Sequence, residues 1–319
     1  MKFRAHETFF IRKGWLSKGM KYVKTTNGEV FISKKENPMD VLGIGSNMVK
    51  SLRYWLLATG LSKEPSSGKR TQKLTELGDL VYENDRYLEE EGTLQLLHYK
   101  LASNSEDATS WYYFFNEFSL FEFTQEDFIA SIKAYVKMHN GESGTDRTLS
   151  DDFSCIVNTY FSKRGGEKLS PENNISCPFS ELGLLSLLDS KKGLYKKSIP
   201  SVSAFNPHVV LAVIADNANG RKEIKLNELL QGKCNIGRIF NLDTISMTEI
   251  LRSAEKTGEV KIIRTAGLDV IQLKNPEKKF LDHAEEFYQS LANPVIEPVE
   301  MKSAVSAPLN HRKNQGRNK

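Results

Sequence analysis

The sequence is poor in the features that mark several large protein classes. Its three cysteines, Cys155, Cys177 and Cys234, are odd in number and far apart, so they predict neither a disulfide framework nor a CxxC-type zinc site. No apolar run reaches the roughly 18 residues of a transmembrane helix. The N-terminal MKFRAHETFFIRKG also lacks the apolar stretch of a signal peptide. We therefore expect a cytoplasmic protein with no membrane partner.

Several catalytic signatures are missing as well. The phosphate loop GxxxxGK[ST] does not occur, and Gly43-Ile-Gly45 lacks the third glycine of a dinucleotide fingerprint. HExxH, GxSxG and Cys/His metal spacings are absent too. ATP hydrolysis, nicotinamide chemistry and zinc hydrolysis are therefore not expected, and no nucleotide cofactor is predicted.

Charge is distributed very unevenly along the chain. The net charge is +4, but residues 1–75 hold 15 Lys and Arg against 5 Asp and Glu, whereas residues 76–130 hold 2 against 13. A solvated surface normally mixes its signs. The basic block therefore favours a polyanionic partner such as DNA, and the acidic block is a surface on which a basic partner could dock.

The most informative segment is LGIGSNMVKSLRYWLLATGL, residues 42–61. At about 100° per residue, one helical face holds Met48, Val49, Leu52, Trp55, Leu56 and Thr59. The other face holds Ser46, Asn47, Lys50, Ser51 and Tyr54, with Arg53 at the border. Ser46 is the expected N-cap after the turn at Gly43 and Gly45. A buried helix with a solvated polar face would give the same period, but the basic block favours a DNA-recognition helix.

The flanking segments complete a predicted winged helix-turn-helix. Residues 3–11 are β-prone, residues 14–24 predict a basic helix, residues 31–33 a strand, and residues 39–44 the first helix of the motif. Residues 64–70 suit a wing tip beside the phosphate backbone, although a mobile, charged loop is an equal alternative. The predicted DNA-binding residues are Lys18, Asn47, Lys50, Arg53, Tyr54, Lys69, Arg70 and Lys73.

The middle of the chain has a different character. WYYFFNEFSLFEF, residues 111–123, could stack unpaired bases, but its acidic residues and its lack of Lys or Arg favour a dense core. Thr124 to Asp127 predicts a capping box at the start of a helix. A loop is expected over residues 138–148, a helix over 151–161 and a linker-like turn over 170–176.

The third region repeats the order of helices followed by a hairpin. A short helix is expected over residues 224–232, and a second helix opens at a capping box formed by residues 246–249. Strands follow at residues 260–264 and 268–273, joined by a hairpin turn. This module carries less net charge, so dimerisation or partner binding is an alternative to DNA binding.

The predicted fold class is therefore α+β and mostly helical. Winged-helix-like modules at both ends flank a helical, aromatic-rich middle. The expected divisions are a basic lobe over residues 1–86, a middle domain over 87–201, a second winged-helix-like module over 202–292 and a disordered basic tail over 293–319.

A small polar cluster near the N-terminus is the candidate catalytic site. His6 or Glu7 could hold a divalent metal or a water, and Arg12 could offset charge that develops on phosphorus. A structural pairing of Glu7 with Arg12 or Lys18, with His6 as a packing residue, remains the alternative. Asp151 and Asp152 form a second acidic pair, but their expected place at a helix start explains them without catalysis.

Long motifs give a family resemblance. HETFFIRKGWLSKG (6–19), LGIGSNMVKSLRYWLLATGL (42–61), LTELGDLV (74–81), GTLQLLHYKLAS (92–103) and TSWYYFFNEF (109–118) resemble the bacterial family catalogued as domain of unknown function number four thousand and seven. Within that family the chain is similar to the B components of Ssp DNA-phosphorothioation systems. The resemblance covers most of residues 3–290 and is strongest before Phe123.

That resemblance implies a protein of phage defence that nicks one DNA strand, with Mg²⁺ or Mn²⁺ as cofactor, so that sulfur can be placed on the backbone. It implies as partners a cysteine desulfurase, an ATP pyrophosphatase-like sulfurtransferase and an ATPase. It does not indicate which residue cleaves. A non-catalytic recruitment module and a transcriptional regulator of the same operon remain alternatives, and a homodimer is left open.

Overall fold

The computed structural model describes residues 1–142, 144–161, 176–265 and 268–293. Helix accounts for 53% of the structure, and the sheets are small and antiparallel. The prediction of a mostly helical α+β protein is therefore confirmed. Among the described residues, no helix is long and apolar enough to cross a membrane.

The N-terminal part combines four helices with a very short hairpin. Its elements are α1 (Trp15–Thr25), a 3₁₀ turn (Glu29–Phe31), α2 (Pro38–Leu42), α3 (Ser46–Ala58), β1 (Ser62–Lys63), β2 (Lys73–Leu74) and α4 (Glu76–Asn84). The predicted basic helix is confirmed as α1. The strand expected at residues 31–33 is wrong, because that segment is the end of the 3₁₀ turn. The β-prone residues 3–11 form turns instead of a strand.

Helix α3 begins one residue earlier than its expected cap implies. Gly45, in an extended conformation, occupies the N-cap position, and Ser46 is the first helical residue. The predicted apolar face is buried, with Leu52, Trp55 and Leu56 fully inaccessible. The hairpin β1–β2 pairs Ser62 with Leu74.

The middle part wraps four helices and a small sheet around aromatic side chains. Its elements are α5 (Glu91–Ala102), α6 (Thr109–Asn116), β3 (Glu122–Phe123), α7 (Gln125–Met138), α8 (Asp146–Tyr160), a 3₁₀ turn (Pro178–Leu182), β4 (Leu185–Asp189) and β5 (Leu194–Lys197). Most rings of the 111–123 segment are buried, so the core interpretation is confirmed over base stacking. The capping box of Thr124 and Asp127 is also confirmed.

Two features of the middle part differ from expectation. Helix α8 starts at Asp146, where the Thr145 hydroxyl accepts a hydrogen bond from the Thr148 backbone N–H, so Asp151 and Asp152 lie within the helix and not at its start. The sheet of strand order β3–β5–β4 was not predicted. The expected turn over residues 170–176 lies almost wholly outside the described residues.

The C-terminal part contains the longest strands. Its elements are a 3₁₀ turn (Val202–Ala204), α9 (Pro207–Ala218), β6 (Glu223–Lys225), α10 (Leu226–Gln231), α11 (Ile236–Ile239), α12 (Thr244–Glu255), β7 (Val260–Thr265), β8 (Leu268–Leu273) and α13 (Phe280–Ala292). The hairpin β7–β8 is confirmed, and β6 joins it on the β8 side. The capping box at residues 246–249 is wrong, because Asp243 caps α12 by accepting from the Ser246 N–H.

The hydrophobic core runs continuously across the expected domain divisions. Helix α13 packs on both α9 and α4. A Cβ atom on Gly92 of α5 would lie 2.4 Å from the Phe287 ring of α13, so only glycine permits this approach. The divisions near residues 86 and 201 remain predictions, and the expected tail lies outside the described residues.

Candidate nucleic-acid interface

A tight turn near the N-terminus organises the candidate site. Arg4, Glu7 and Thr8 have φ values of 57°, 50° and 68°. These are left-handed conformations that non-glycine residues rarely adopt, least of all a β-branched threonine. The turn is closed by hydrogen bonds from the Glu7 N–H to the Arg4 carbonyl and from the Phe9 N–H to the His6 carbonyl. Strain of this kind persists only where the surroundings hold it in place.

His6 and Asp152 hold that turn against α8. The His6 Nε2 lies 2.7 Å from Asp152 Oδ1, which also accepts the Arg4 N–H at 2.8 Å. His6 Nδ1 accepts the Thr8 N–H at 3.1 Å, so the proton resides on Nε2 and is donated to the carboxylate. The Ser110 hydroxyl donates to Asp152 Oδ2 at 2.6 Å. We call these residues the His6–Asp152 clamp.

The central side chains of the clamp are inaccessible to solvent. His6 is fully inaccessible, Asp152 is 1% exposed, and the imidazole stacks on Trp55 at 6.1 Å with Trp111 edge-on at 5.6 Å. Both ring nitrogens are already bonded, so the side chain cannot reach a phosphodiester in this conformation. In this conformation the hydrogen bond to Asp152 places His6 to hold the turn, and its direct catalytic role stays a prediction.

Glu7 and Arg12 are half-buried beside this clamp. Within the described part of the chain, the Glu7 carboxylate makes no hydrogen bond or ion pair, so the structural pairing with Arg12 or Lys18 is wrong. The Arg12 guanidinium lies over the rings of Phe9 and Trp15, at 5.7 and 5.4 Å from their centroids. Lys18 donates to the Leu42 carbonyl at 3.0 Å and thereby joins α1 to α2.

The polar face of α3 is narrower than its helical period predicts. Asn47 and Lys50 are exposed, and neither side chain has a hydrogen-bond or ion-pair partner among the described residues. Ser51, in contrast, is buried and donates to the Phe9 carbonyl, which also accepts the Trp55 indole N–H at 2.9 Å.

Tyr54 is half-buried against the core. Its ring lies 4.9 Å from that of Trp55, and burial, followed by the charge of Asp152, raises the pKa of Tyr54 well above its ordinary value. Only part of the phenol therefore lies on the exposed face of α3, and its contact with DNA stays a prediction.

The segment between β1 and β2 is fastened to α3 by one carboxylate. Glu64, only 5% exposed, accepts from Arg53 Nε at 2.6 Å and pairs with Arg70 Nη2 at 3.1 Å. Arg53 also donates to the Arg70 carbonyl at 3.0 Å. We call residues 64–72 the hairpin tip. Arg53 is therefore a scaffold residue whose charge is partly neutralised, and Arg70 keeps an exposed guanidinium.

The remaining predicted cations lie at the edge of the tip. Lys69 pairs with Glu29 at 2.5 Å, both side chains being exposed, and the ammonium of Lys69 lowers the pKa of Glu29. Lys73 is exposed on β2 and has no acidic partner among the described residues. Gly28, at φ 78°, lets the backbone beside Glu29 approach the Gln72 carbonyl, which a Cβ would meet at 1.7 Å.

Part of the acidic segment is already neutralised by the basic one. Lys24 pairs with Asp79 and Glu83, and their hydrogen bonds raise the pKa of Lys24. Lys2 pairs with Asp107. The basic lobe nevertheless keeps several cations without an acidic partner in the described chain: Arg12, Lys13, Lys18, Lys21, Lys34, Lys35, Lys50, Lys63 and Lys73.

Metal-ligand geometry does not occur around Glu7. Among the described residues, the one set of three or more His, Cys, Asp or Glu side chains with converging ligand atoms is His208, His283 and Glu286, on α9 and α13. Its two nitrogens do not suit Mg²⁺, which prefers oxygen. Glu7 could supply one carboxylate to an ion held mainly by water and phosphate, as Mg²⁺ sites often are.

Comparisons with known proteins agree with this architecture. The family model described as "Protein of unknown function (DUF4007)" matches residues 3–288. Two solved structures, titled "SspB crystal structure" and "Magnesium ion-bound SspB crystal structure", are each 26% identical to the chain. They cover 92% of it and 89% of their own chains, with TM-scores of 0.79 and 0.80. No curated protein matches.

Proposed function

The chain belongs to the DUF4007 family, and from that membership and its likeness to SspB we propose that it binds DNA and nicks one strand within a phosphorothioation system. The similarity to SspB suggests a component of such a system. The single observation that carries the DNA-binding part is the exposed, unpartnered pair Asn47 and Lys50 at the start of α3, within the basic lobe.

The proposed binding unit is a winged helix-turn-helix in which α2 and α3 form the two helices and the hairpin tip forms the wing. In such motifs the N-terminal residues of the second helix contact base edges. Asn47 has the amide to pair with adenine, and Lys50 can bind guanine or phosphate. Lys73 and Arg70 would then lie beside the backbone, where cations position the duplex.

The proposed chemistry rests on Glu7, in the strained turn, and on Arg12 just after it, both of which are half-buried. The Glu7 carboxylate would accept a proton from the attacking water or hold a Mg²⁺ or Mn²⁺ ion, which would stabilise charge on phosphorus. Arg12, partly desolvated by Phe9 and Trp15, would stabilise the developing negative charge. His6 fixes the turn and does not touch DNA.

A plasmid assay tests this proposal. Wild-type protein with Mg²⁺ or Mn²⁺ should convert supercoiled plasmid to open circles, and Glu7→Gln should lower the rate by at least about 100-fold. Glu36→Gln is the matched control, because Glu36 is an exposed acid of the same lobe and its carboxylate has no partner among the described residues. Full activity of Glu7→Gln would remove Glu7 from the mechanism.

A non-catalytic recruitment module is the second candidate function. The lack of a cluster of acidic metal ligands around Glu7, within the described chain, favours it. In this case the protein would bind DNA without nicking it and would recruit the cysteine desulfurase, sulfurtransferase and ATPase. Retained DNA binding with no open circles in either metal would favour this function over the first. A regulator of the operon would instead prefer one operator strongly over bulk DNA.

The C-terminal part would serve as the partner-binding or dimerisation module. Its helices α10 to α12 and sheet β6–β8–β7 have the order of a second winged helix. However, the exposed side of α12 carries Ile245, at 71% exposure, and Glu249, next to a single cation, Arg252. An apolar and an acidic side chain suit a protein surface better than a phosphate backbone.

A further inference from the structure

Two helices of the C-terminal part bring two imidazoles and a carboxylate together. His208 lies in the first turn of α9, just after the N-cap Asn206, whose side chain accepts the His208 N–H. His283 and Glu286 lie three residues apart on α13 and therefore share one helical face. Helices α9 and α13 pack along each other, which holds the three side chains in register.

The spacing of the ligand atoms suits a single small dication. Glu286 Oε2 lies 2.8 Å from His283 Nδ1 and 3.3 Å from His208 Nδ1, and the three ligand atoms lie within 4.8 Å of one another. Ligands bonded at about 2.0–2.2 Å around a tetrahedral ion stand roughly 3.3–3.6 Å apart. Small adjustments would therefore place all three atoms on one ion.

One of these atoms lacks a partner of its own. The Nδ1 atom of His208 is shielded from solvent and makes no hydrogen bond, because its alignment with Glu286 is too poor despite the short distance. Buried polar atoms are nearly always satisfied, so an orphaned nitrogen that faces a carboxylate and a second imidazole points to a missing ligand.

The charged groups around these three side chains have a net negative charge, which favours the binding of a cation. Lys278 donates to Glu286 Oε1 and to Glu259 Oε1, so one ammonium faces two carboxylates and leaves a net charge of −1 when both imidazoles are neutral. In the metal-free protein His283 Nδ1 donates to Glu286 Oε2 at 2.8 Å, and a bound ion would take the place of that proton. The bond from Lys278 occupies Oε1 and leaves Oε2 as a monodentate ligand.

We propose that His208, His283 and Glu286 form a three-ligand site for a zinc-class transition-metal dication that joins α13 to the start of α9. Two imidazoles and one carboxylate are a donor set that Zn²⁺, Co²⁺ and Mn²⁺ accept. The partial exposure of His208 and Glu286 leaves a fourth position for water. This site is independent of the proposed nicking activity, because it lies away from Glu7 and its readouts are binding and stability.

The probe is Co²⁺ added to chelator-treated, full-length protein. Wild type should bind one equivalent with the visible absorption bands of a four-coordinate ion, and Zn²⁺ should displace it and raise the Tm. His208→Gln and Glu286→Gln should each weaken Co²⁺ binding by more than about 100-fold, since loss of even an outer partner costs 10–100-fold. Mg²⁺ at equal concentration should not displace Co²⁺.

Matched controls separate this site from other donors. His139→Gln should leave Co²⁺ binding unchanged, because His139 is exposed at the end of α7 and bonds only the Tyr135 carbonyl. Cys234→Ser should do the same for the half-buried thiol. Wild-type affinity in His208→Gln, absence of binding by wild type, or displacement of Co²⁺ by Mg²⁺ would each overturn the proposal. Circular dichroism and the metal-free Tm would verify that Glu286→Gln is folded.

Discussion

The two ends of the molecule follow a similar order of helices and hairpin but present different surfaces. In the N-terminal unit, residues 15–74, each strand has two residues, and the hairpin tip carries Lys69 and Arg70. In the C-terminal unit, residues 207–273, the hairpin strands have six residues each and a third strand joins them. The short hairpin is a sheet of two strands only, whereas β8 of the long hairpin also pairs with β6. A similar order of helices and strands therefore does not determine which kind of partner each unit binds.

Two buried histidines attach the N-terminal turn and the C-terminal unit to the middle part, and these attachments also differ. His6 joins the N-terminal turn to α8 through a carboxylate, Asp152. His98, on α5, joins the middle part to the C-terminal unit through neutral groups, since its Nε2–H donates to the Ile239 carbonyl and its Nδ1 accepts from the Tyr160 hydroxyl, both at 2.8 Å. The attachment at His6 depends on the carboxylate of Asp152, whereas the attachment at His98 depends on an uncharged imidazole.

The largest effect is expected at the charged attachment. Asp152→Ala leaves the buried His6 and Ser110, and the partly buried Arg4 N–H, without an acceptor, so it should lower the free energy of unfolding by about 3–5 kcal/mol. Urea denaturation measures this. Asp151→Ala is the neighbouring control, because Asp151 pairs only with the half-exposed Arg4 and should cost about 0–1 kcal/mol. Equal stability of the two variants would refute the clamp.

The attachment through the neutral His98 predicts that the folded protein loses stability in acid. Burial lowers the pKa of His98 from 6.5 to about 4, so below pH 6.5 the unfolded chain binds a proton that the folded chain does not. The free energy of unfolding should therefore fall by about 1.4 kcal/mol per pH unit, or about 3 kcal/mol between pH 6.5 and 4.

The matched variant for this pH dependence is His98→Gln, whose side chain does not titrate. Its stability should be lower than that of wild type at pH 7, but the part of the acid loss that His98 causes should disappear. Parallel stability curves for the two proteins between pH 7 and pH 4 would contradict the assignment.

The third prediction compares exposed cations of the two units directly. Lys50→Glu with Lys73→Glu should weaken binding to duplex DNA by roughly 10–100-fold and reduce the slope of log K against log salt by about 1.8, the value for two phosphate contacts. Arg252→Glu with Lys256→Glu makes the same change of charge at exposed positions of the C-terminal unit and should have little effect. Fluorescence anisotropy across a salt series measures both. Equal losses would mean that net charge, and not the surface of α3, governs affinity.

Sequence periodicity predicted the buried face of α3 but only part of its polar face. Leu52, Trp55 and Leu56 follow from a local repeat, because each faces the core every three or four residues. Ser51 was misplaced, and Tyr54 is less exposed than predicted, because the N-terminal loop covers that flank. The loop's contact at Phe9 lies 42 residues from Ser51. A helical wheel contains no information about a segment so distant in the chain.

The sequence analysis identified the more accessible residues of the candidate site but missed the buried ones. Glu7 and Arg12 stand out as polar groups among aromatics, and both are half-buried and partly accessible. Asp152 was not assigned a function because the sequence analysis placed the start of α8 too late in the chain. Thr145 is nevertheless a recognisable N-cap for this helix. The partnership of His6 and Asp152 spans 146 residues, and no local signal could reveal it. The same holds for His208 with Glu286.

The smallest expected effect concerns the orientation of the hairpin tip. Glu64→Gln removes the charge that fixes Arg53 and Arg70, and it also makes the basic lobe more positive by one charge. If the tip contacts DNA in a defined geometry, affinity should fall by about threefold despite the added positive charge, because a free guanidinium must be ordered on binding. Glu36→Gln changes the charge of the same lobe equally without releasing a partner, so it should bind slightly more tightly than wild type. If Glu64→Gln instead binds DNA as tightly as Glu36→Gln, the hairpin tip contributes only its charge to DNA binding. The N-terminal unit would then differ from the C-terminal unit in its electrostatics, and not in the fixed orientation of its hairpin tip.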